Sequence, residues 1–308
     1  MLGLVTADFS VEFAPWDGRR VPVTLLGGYL GAGKTTVINE LLARTDRPLA
    51  VLVNDVGAVN VDAALIRRRH GDTIELTDGC VCCSLSRGLA DAFDELRRRE
   101  TPPDHVVLEM SGIADPARVA PWADSTGFRL DSTVVLVDAD QFMSQVENPV
   151  LAPLIEAQVK AADLLLLTKT DLADPPNVDA TRARVSTINA DVPVLDPGGP
   201  GPSAALVHTG TRRPAGFTAL ADPSLFDVHH VRTINLDDPI SLDGLHEVLD
   251  SLPSQVLRAK AVIRSTDDEL YMVQVVGSRR AVTPMPRAET QNTTDLVVVE
   301  VRTEVDTH

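Results

Sequence analysis

Short apolar runs alternate with stretches of helical periodicity along the first two thirds of the chain. The runs predict strands at Val21 to Leu26, Leu49 to Asn54, Thr73 to Leu76, His105 to Met110, Thr133 to Val137, Leu164 to Thr168, and a short one near Val192 to Leu195. Several contain unbroken blocks such as VLVN, VVL, VVLV and LLLL. A strand covered on both faces has no polar side, so such blocks predict a parallel sheet between helix layers. Between the runs, Leu85, Leu89, Phe93 and Leu96 are spaced 4, 4 and 3 and share one helical stripe. Val37/Ile38 and Leu41/Leu42 repeat that pattern after the first strand. The alternation predicts an α/β fold with a mostly parallel, doubly wound sheet.

The texture changes near Asp196. The stretch DPGGPGPSAALVHTGTRRPAGF is rich in Gly and Pro and reads as a connector. Beyond it come a strand-like HHVRTINL, a helical SLDGLHEVLDSLP, and the β-rich QVLRAKAVIR, LYMVQVVG and DLVVVEVR. That order predicts a small α+β second domain. The expected division is an extension over 1–20, a nucleotide domain over 21–196, a linker over 197–227 and a C-terminal domain over 228–308. A length of 308 residues agrees with about two domains.

Composition narrows the function classes. There are 44 acidic and 28 basic side chains, a net charge of −16. Nucleic-acid phosphates and anionic membranes both call for a basic surface, so neither is an expected partner. No apolar run is long enough to predict a spanning helix. The first residues, MLGLVTADFSVEFAPWDGRR, lack the features of a secretory signal. All 3 cysteines lie in Cys80-Val81-Cys82-Cys83, which is not a disulfide framework. A cytoplasmic location is the expectation.

Gly28-Tyr29-Leu30-Gly31-Ala32-Gly33-Lys34-Thr35 fits G-x-x-x-x-G-K-[ST], follows a predicted strand and opens a predicted helix. Gly28, Gly31, Ala32 and Gly33 are expected to turn backbone N–H groups toward phosphate oxygens, with Thr36 in the first helical turn. Lys34 would neutralise β/γ-phosphate charge and Thr35 would offer a hydroxyl to Mg²⁺. Glu109, at the end of the fourth strand, stands where an acid could hold Mg²⁺, usually through water. Gly112 could give its N–H to a γ-phosphate, which makes SGIADP (Ser111 to Pro116) a candidate switch.

LLLLTKTD (Leu164 to Asp171) is a strand ending in the guanine-reading pattern [NT]-K-x-D. Asp171 can accept from guanine N1–H and the 2-amino group, a donor pair that adenine lacks. The stem of Lys169 can cover the base. Thr168 replaces the commoner Asn, a change expected to loosen base selectivity. Cys80, Cys82 and Cys83 offer three soft sulfurs, which suit Zn²⁺, Cu⁺ or Co²⁺ rather than Mg²⁺. A closed tetrahedral site needs a fourth ligand, which could be a carboxylate, a His, water or a target protein.

These motifs together resemble the CobW-like family of GTPases, relatives of the nickel-handling GTPases. GGYLGAGKTT resembles the family's phosphate loop, and Asn54-Asp55-Val56-Gly57 with Asp62 resembles N-E-x-G…D. Gly79 to Ser84 matches G-C-x-C-C, and Glu109 to Pro116 resembles E-x-S-G-x-A-D-P. Gln158, Asp163 and TKTDL match the base-motif region. Leu252-Pro253 and Val256 to Lys260 resemble the family's small C-terminal domain. The resemblance implies a GTPase with Mg²⁺ near Thr35, Glu109 and Asp55, and Zn²⁺ or Co²⁺ at Cys80, Cys82 and Cys83. It also implies metal transfer to a client metalloprotein, and a nucleotide-dependent homodimer. Asp55 stands where the family usually has Glu, and Ala261 where Gly is usual. The family's His-rich loop is missing, with only His208, His229 and His230 in that region. On a strand, His229 and His230 would point to opposite faces and could not chelate together. With no obvious Gln or Arg to position the attacking water, slow intrinsic turnover is expected. A P-loop ATPase or kinase acting on a small molecule, and a non-enzymatic metal buffer, are the rival readings.

Overall fold

A computed structural model describes residues 15–45, 48–53, 72–75, 84–196, 229–253, 255–277, 279–285 and 293–301. The first part alternates strand and helix. β1 (Val21–Gly28) leads to α1 (Lys34–Arg44), β2 (Leu49–Val53), β3 (Asp72–Glu75), α2 (Ser84–Arg97) and β4 (His105–Glu109). Then come α3 (Pro116–Ala123), β5 (Phe128–Asp138), α4 (Phe142–Glu147), α5 (Ala152–Lys160), β6 (Leu164–Thr168), α6 (Pro175–Ile188) and β7 (Val194–Leu195). The seven strands form one sheet in the order β3-β2-β4-β1-β5-β6-β7, and every pairing is parallel.

The unbroken apolar runs are explained by burial on both faces. On one face, Val51 and Val53 of β2, Val134 and Leu136 of β5, and Leu164 and Leu166 of β6 pack with Val37, Ile38, Leu41 and Leu42 of α1. Their sequence neighbours Ala50 and Leu52 face the other way, against Leu89, Phe93 and Leu96 of α2. Further along that second face, Val135, Val137, Leu165 and Leu167 meet Leu154 and Ile155 of α5. The α2 stripe read from the sequence is thus the core-facing one, since Leu89, Phe93 and Leu96 are fully buried.

β5 begins at Phe128, earlier than the apolar run predicts. Its first turns pair with Val21 to Val23 of β1 before a register shift, and its polar members Arg129 and Asp131 pair with each other at 2.8 Å. Polar side chains inside a strand hide it from a reading based on apolar runs.

The second part holds β8 (His229–Asn235), α7 (Leu242–Asp250), β9 (Val256–Arg264), β10 (Leu270–Val276), β11 (Arg279–Met285) and β12 (Thr293–Val301). These strands make an antiparallel sheet in the order β11-β10-β9-β12-β8. Leu245 and Leu249 of α7 cover one face, packing on Ala259, Ala261, Val273, Val275 and Val298. Leu257, Val299 and Val301 instead join the cluster of α4, α5 and the phosphate loop, so the two sheets share a core at that corner. β11 was not predicted. It is a largely exposed edge strand carrying Arg279, Arg280 and Pro284, and edge strands tolerate charge and Pro because one side lacks a ladder partner.

Candidate functional site: a nucleotide cradle

In a parallel doubly wound sheet, loops beyond the C-terminal strand ends form the binding crevice. The loops after β1, β4, β5 and β6 meet there. β1 runs into the phosphate loop, and α1 starts at Lys34 with Gly33 as its N-cap at φ +94°. No side chain caps this helix. Its first N–H groups are therefore presented by the backbone alone, at the positive end of the helix dipole. A Cβ at Gly33 would meet open space, so the glycine serves the left-handed turn rather than close packing.

Lys34 is buried, and its Nζ donates to the carbonyls of Gly28 at 2.9 Å and Tyr29 at 3.3 Å. The ammonium is thereby held over the loop it belongs to. Thr35 Oγ1 donates to Glu109 Oε1 at 3.3 Å. β4 lies beside β1, with Leu26 opposite Glu109, and this register delivers the carboxylate to the hydroxyl. One hydroxyl and one buried carboxylate are hard oxygen donors, a set that fits Mg²⁺. Asp55 and the cysteines Cys80, Cys82 and Cys83 lie outside the described residues.

The segment after β4 packs directly on the phosphate loop. A Cβ at Gly112 would come within 2.7 Å of the Leu30 backbone nitrogen, so only glycine fits this approach. Gln158 of α5 is buried and donates to the carbonyls of Gly112 at 3.0 Å and Ala114 at 3.1 Å. Asp115 then caps α3 by accepting from Ala117 N–H at 2.8 Å, and burial pushes its carboxyl above the usual carboxylate range.

At the other end of the crevice, Thr168 Oγ1 donates to the carbonyl of Ala32 at 2.9 Å. The hydroxyl ties the loop after β6 to the phosphate loop. Lys169 follows at φ +56°, and its Nζ pairs with Asp138 Oδ2 at 2.6 Å. The next residues close a turn through Leu172 N–H to Lys169 O at 3.0 Å, which leaves Asp171 exposed at the mouth of the crevice. Asn177 of α6 holds the neighbouring loop by donating to Ala139 O at 3.1 Å.

Sequence reasoning missed Asp138, although the acid ends a buried apolar strand just as Glu109 does. His229 and His230 do point to opposite faces, as alternation along a strand predicts. His229 is buried, with Nε2 2.8 Å from the hydroxyl of Tyr29 in the phosphate loop, while His230 is exposed on the opposite face.

The fold and this crevice define a P-loop nucleotide-binding protein. Residues 22–196 match the family model described as CobW/HypB/UreG, nucleotide-binding domain, and residues 230–306 match the Cobalamin synthesis protein cobW C-terminal domain. The chain belongs to this family. It is 32% identical over 222 residues to the zinc chaperone CobW of a Sinorhizobium species, over 62% of each chain. It is 38% identical over 184 residues to the zinc chaperone YjiA of Escherichia coli K12, over 56% of each. The matches thus span less than two thirds of these curated relatives. The crystal structure of Zn(II)-bound YjiA GTPase from E. coli aligns over 92% of this chain and 95% of that one, at 22% identity and a TM-score of 0.44.

Proposed function

We propose that the protein is a GTP-hydrolysing metal chaperone. It takes Zn²⁺, or Co²⁺, as cargo at Cys80, Cys82 and Cys83 and couples the nucleotide cycle to transfer to a client metalloprotein. Residues 21–196 act as the nucleotide domain, 197–227 as a linker and 228–308 as the C-terminal domain. The observation that carries this reading is the bonding of three motifs to one another around the crevice. Thr168 bonds to the phosphate loop, the switch packs on Leu30, and Thr35 bonds to Glu109.

The residues divide the work by position. The backbone of Gly28 to Gly33 and the first turn of α1 hold the phosphates. Lys34 neutralises their charge, and Thr35 with Glu109 would hold Mg²⁺, which screens the β- and γ-oxygens when bound. Asp171 accepts from the guanine edge, and Lys169 covers the base. Gly112 meets the γ-phosphate, so the segment through Asp115 changes its contacts on hydrolysis. Slow intrinsic turnover, raised by metal or client, is part of this reading, since the sequence offers no obvious Gln or Arg to position the attacking water.

The metal half rests on sequence and topology. β3 ends at Glu75 on the sheet edge that carries the phosphate loop, and α2 begins at Ser84. β3 lies three strand spacings from β1, or roughly 14 Å. Coupling between two sites on one protein is typically about 5–150-fold in affinity. The test is Zn²⁺ titration of the full chain with Mg²⁺–GTP and with Mg²⁺–GDP. Different Zn²⁺ affinities in the two states are expected, together with loss of stoichiometric Zn²⁺ binding when all three cysteines become Ser. Equal affinities would defeat the coupling. Preference for ATP would move the reading to a small-molecule kinase or ATPase, and undetectable turnover would leave a metal buffer.

A further inference from the structure

The second sheet reaches the nucleotide crevice at both ends. Near the phosphates, a Cβ on Gly31 would lie 2.3 Å from Val276 Cγ1, so the last residue of β10 is seated directly on the phosphate-loop backbone. Near the base, Arg279 at the start of β11 pairs with Asp140 and lies 3.7 Å from Asp138 Oδ1. Asp138 holds the Lys169 ammonium through its other oxygen. Between these contacts, a Cβ at Gly277 would come within 3.2 Å of Gln141 Oε1, and Gln141 Nε2 donates to Asp140 Oδ2 at 2.9 Å. The β10–β11 turn is therefore wedged between the loop after β1 and the loop after β5.

The charges form a crossed quartet of two cations and two carboxylates drawn from three loops and both sheets. Asp138 is almost fully buried, Lys169 and Asp140 are partly buried, and Arg279 is partly exposed. Each carboxylate has a preferred cation. Without Arg279, Asp140 would be a second acceptor competing for Lys169. Without Asp140, Arg279 would turn to Asp138 and displace Lys169 from it. Either change moves the lysine stem that would cover the base and disturbs the turn that presents Asp171.

We propose that Arg279 is a positioning residue for guanine recognition. It acts from the C-terminal domain by occupying Asp140, so that Asp138 stays paired with Lys169. The inference rests on the reading of Thr168 to Asp171 as the guanine-binding loop. It makes base selectivity a property of both domains, and a displaced β10–β11 turn would weaken the grip on guanine before the grip on phosphate.

The experiment measures the affinities of fluorescent mant-GDP and mant-ADP for the full chain with Mg²⁺. It compares wild type, Arg279→Ala, Arg279→Lys, Asp140→Asn and the Arg279→Ala/Asp140→Asn pair. The wild type is expected to prefer the guanine nucleotide. Each of Arg279→Ala and Asp140→Asn is expected to lower the mant-GDP to mant-ADP preference about five- to tenfold, the scale of coupling between adjacent charged groups. Arg279→Lys should keep most of it. The double variant should recover the preference, because both competitors for the Asp138–Lys169 pair are gone. Simple domain docking predicts instead that the double variant is as impaired as either single one. An unchanged preference in Arg279→Ala, or a double variant no better than the singles, overturns the proposal. If Arg279→Ala does not fold, Arg279→Gln takes its place, alone and combined with Asp140→Asn, and the same two outcomes are read. A wild type without guanine preference removes the base-reading loop and this proposal together, whereas a guanine-selective wild type with indifferent variants removes the proposal alone.

Discussion

Gln158 is 2% exposed and sits on α5, remote in sequence from the segment 112–114 that it holds. Its amide nitrogen donates to two carbonyls there, at Gly112 and Ala114. Gln158→Leu keeps the volume but removes both donors, leaving two backbone acceptors in a dry environment. A buried acceptor stranded in this way costs about 1–3 kcal/mol, so urea unfolding of the full chain should show a loss of that size. Gln158→Glu should lose at least as much at neutral pH, because a carboxylate cannot donate. An unchanged unfolding midpoint in both variants would show that the amide does not hold this segment. Asp140 gives a second prediction at this scale. The Gln141 side-chain N–H and then Arg279 hold its carboxyl below the ordinary value of 3.8. A lowered folded-state pKa contributes stability that is present above the unfolded value and lost as pH falls through the folded one. The stability gap between wild type and Asp140→Asn should therefore be level above about pH 5 and close below it. Since the pair is partly exposed, the gap should be about 1 kcal/mol at most. Acid titration of both proteins by circular dichroism checks this, and a gap that widens toward low pH would contradict the assignment.

Elements were legible where burial is uniform. β2, the middle of β5 and β6 are apolar on both faces, and the stripe of α2 has one buried side, so period and run length revealed them. β11 stayed hidden because an exposed edge strand has no apolar face to announce it. The site divides in the same way. The phosphate loop, Glu109 and Thr168 to Asp171 are contiguous motifs whose chemistry is local. Arg279 with Asp140 and Tyr29 with His229 are 139 and 200 positions apart, and no local pattern relates them. Thr168 lies between these cases. The sequence marked it as a replacement for Asn, while its bond to Ala32 depends on β6 and β1 ending at the same sheet edge with β5 between them. Thr168→Val preserves shape and branching but cannot donate. Losing this tie between two binding loops should weaken GDP binding by about 1 kcal/mol, or roughly fivefold, with little change in strand packing. Calorimetric titration measures it. An unaltered affinity would mean that the two loops hold their places without the hydroxyl.

At the scale of the molecule, the two sheets meet on the phosphate loop rather than at a distance from it. Tyr29 and His229 are each 6% exposed, and their side chains bond across the junction at 2.8 Å. Burial also drives the Tyr29 phenol well above its ordinary pKa, so the hydroxyl in this bond stays neutral. Leu257, Val299 and Val301 pack into the same cluster as Tyr29 and Leu30, which excludes water from the bond. A nucleotide that orders the phosphate loop should therefore also order β8 and β12, because these strands share packing with the loop. Binding that restricts motion at one contact lowers the cost of order at the next, and the effect is visible in amide exchange without any change of fold. Hydrogen exchange of the full chain with and without Mg²⁺–GDP should show added protection along His229 to Asn235 as well as in α1. Tyr29→Phe removes only the hydroxyl. It should leave the added protection of α1 in place and reduce that of β8, which separates loss of the bridge from loss of nucleotide. Protection of β8 that is indifferent to GDP in the wild type would mean the junction carries no signal. Equal protection in Tyr29→Phe would mean that the apolar contacts carry it without the hydrogen bond.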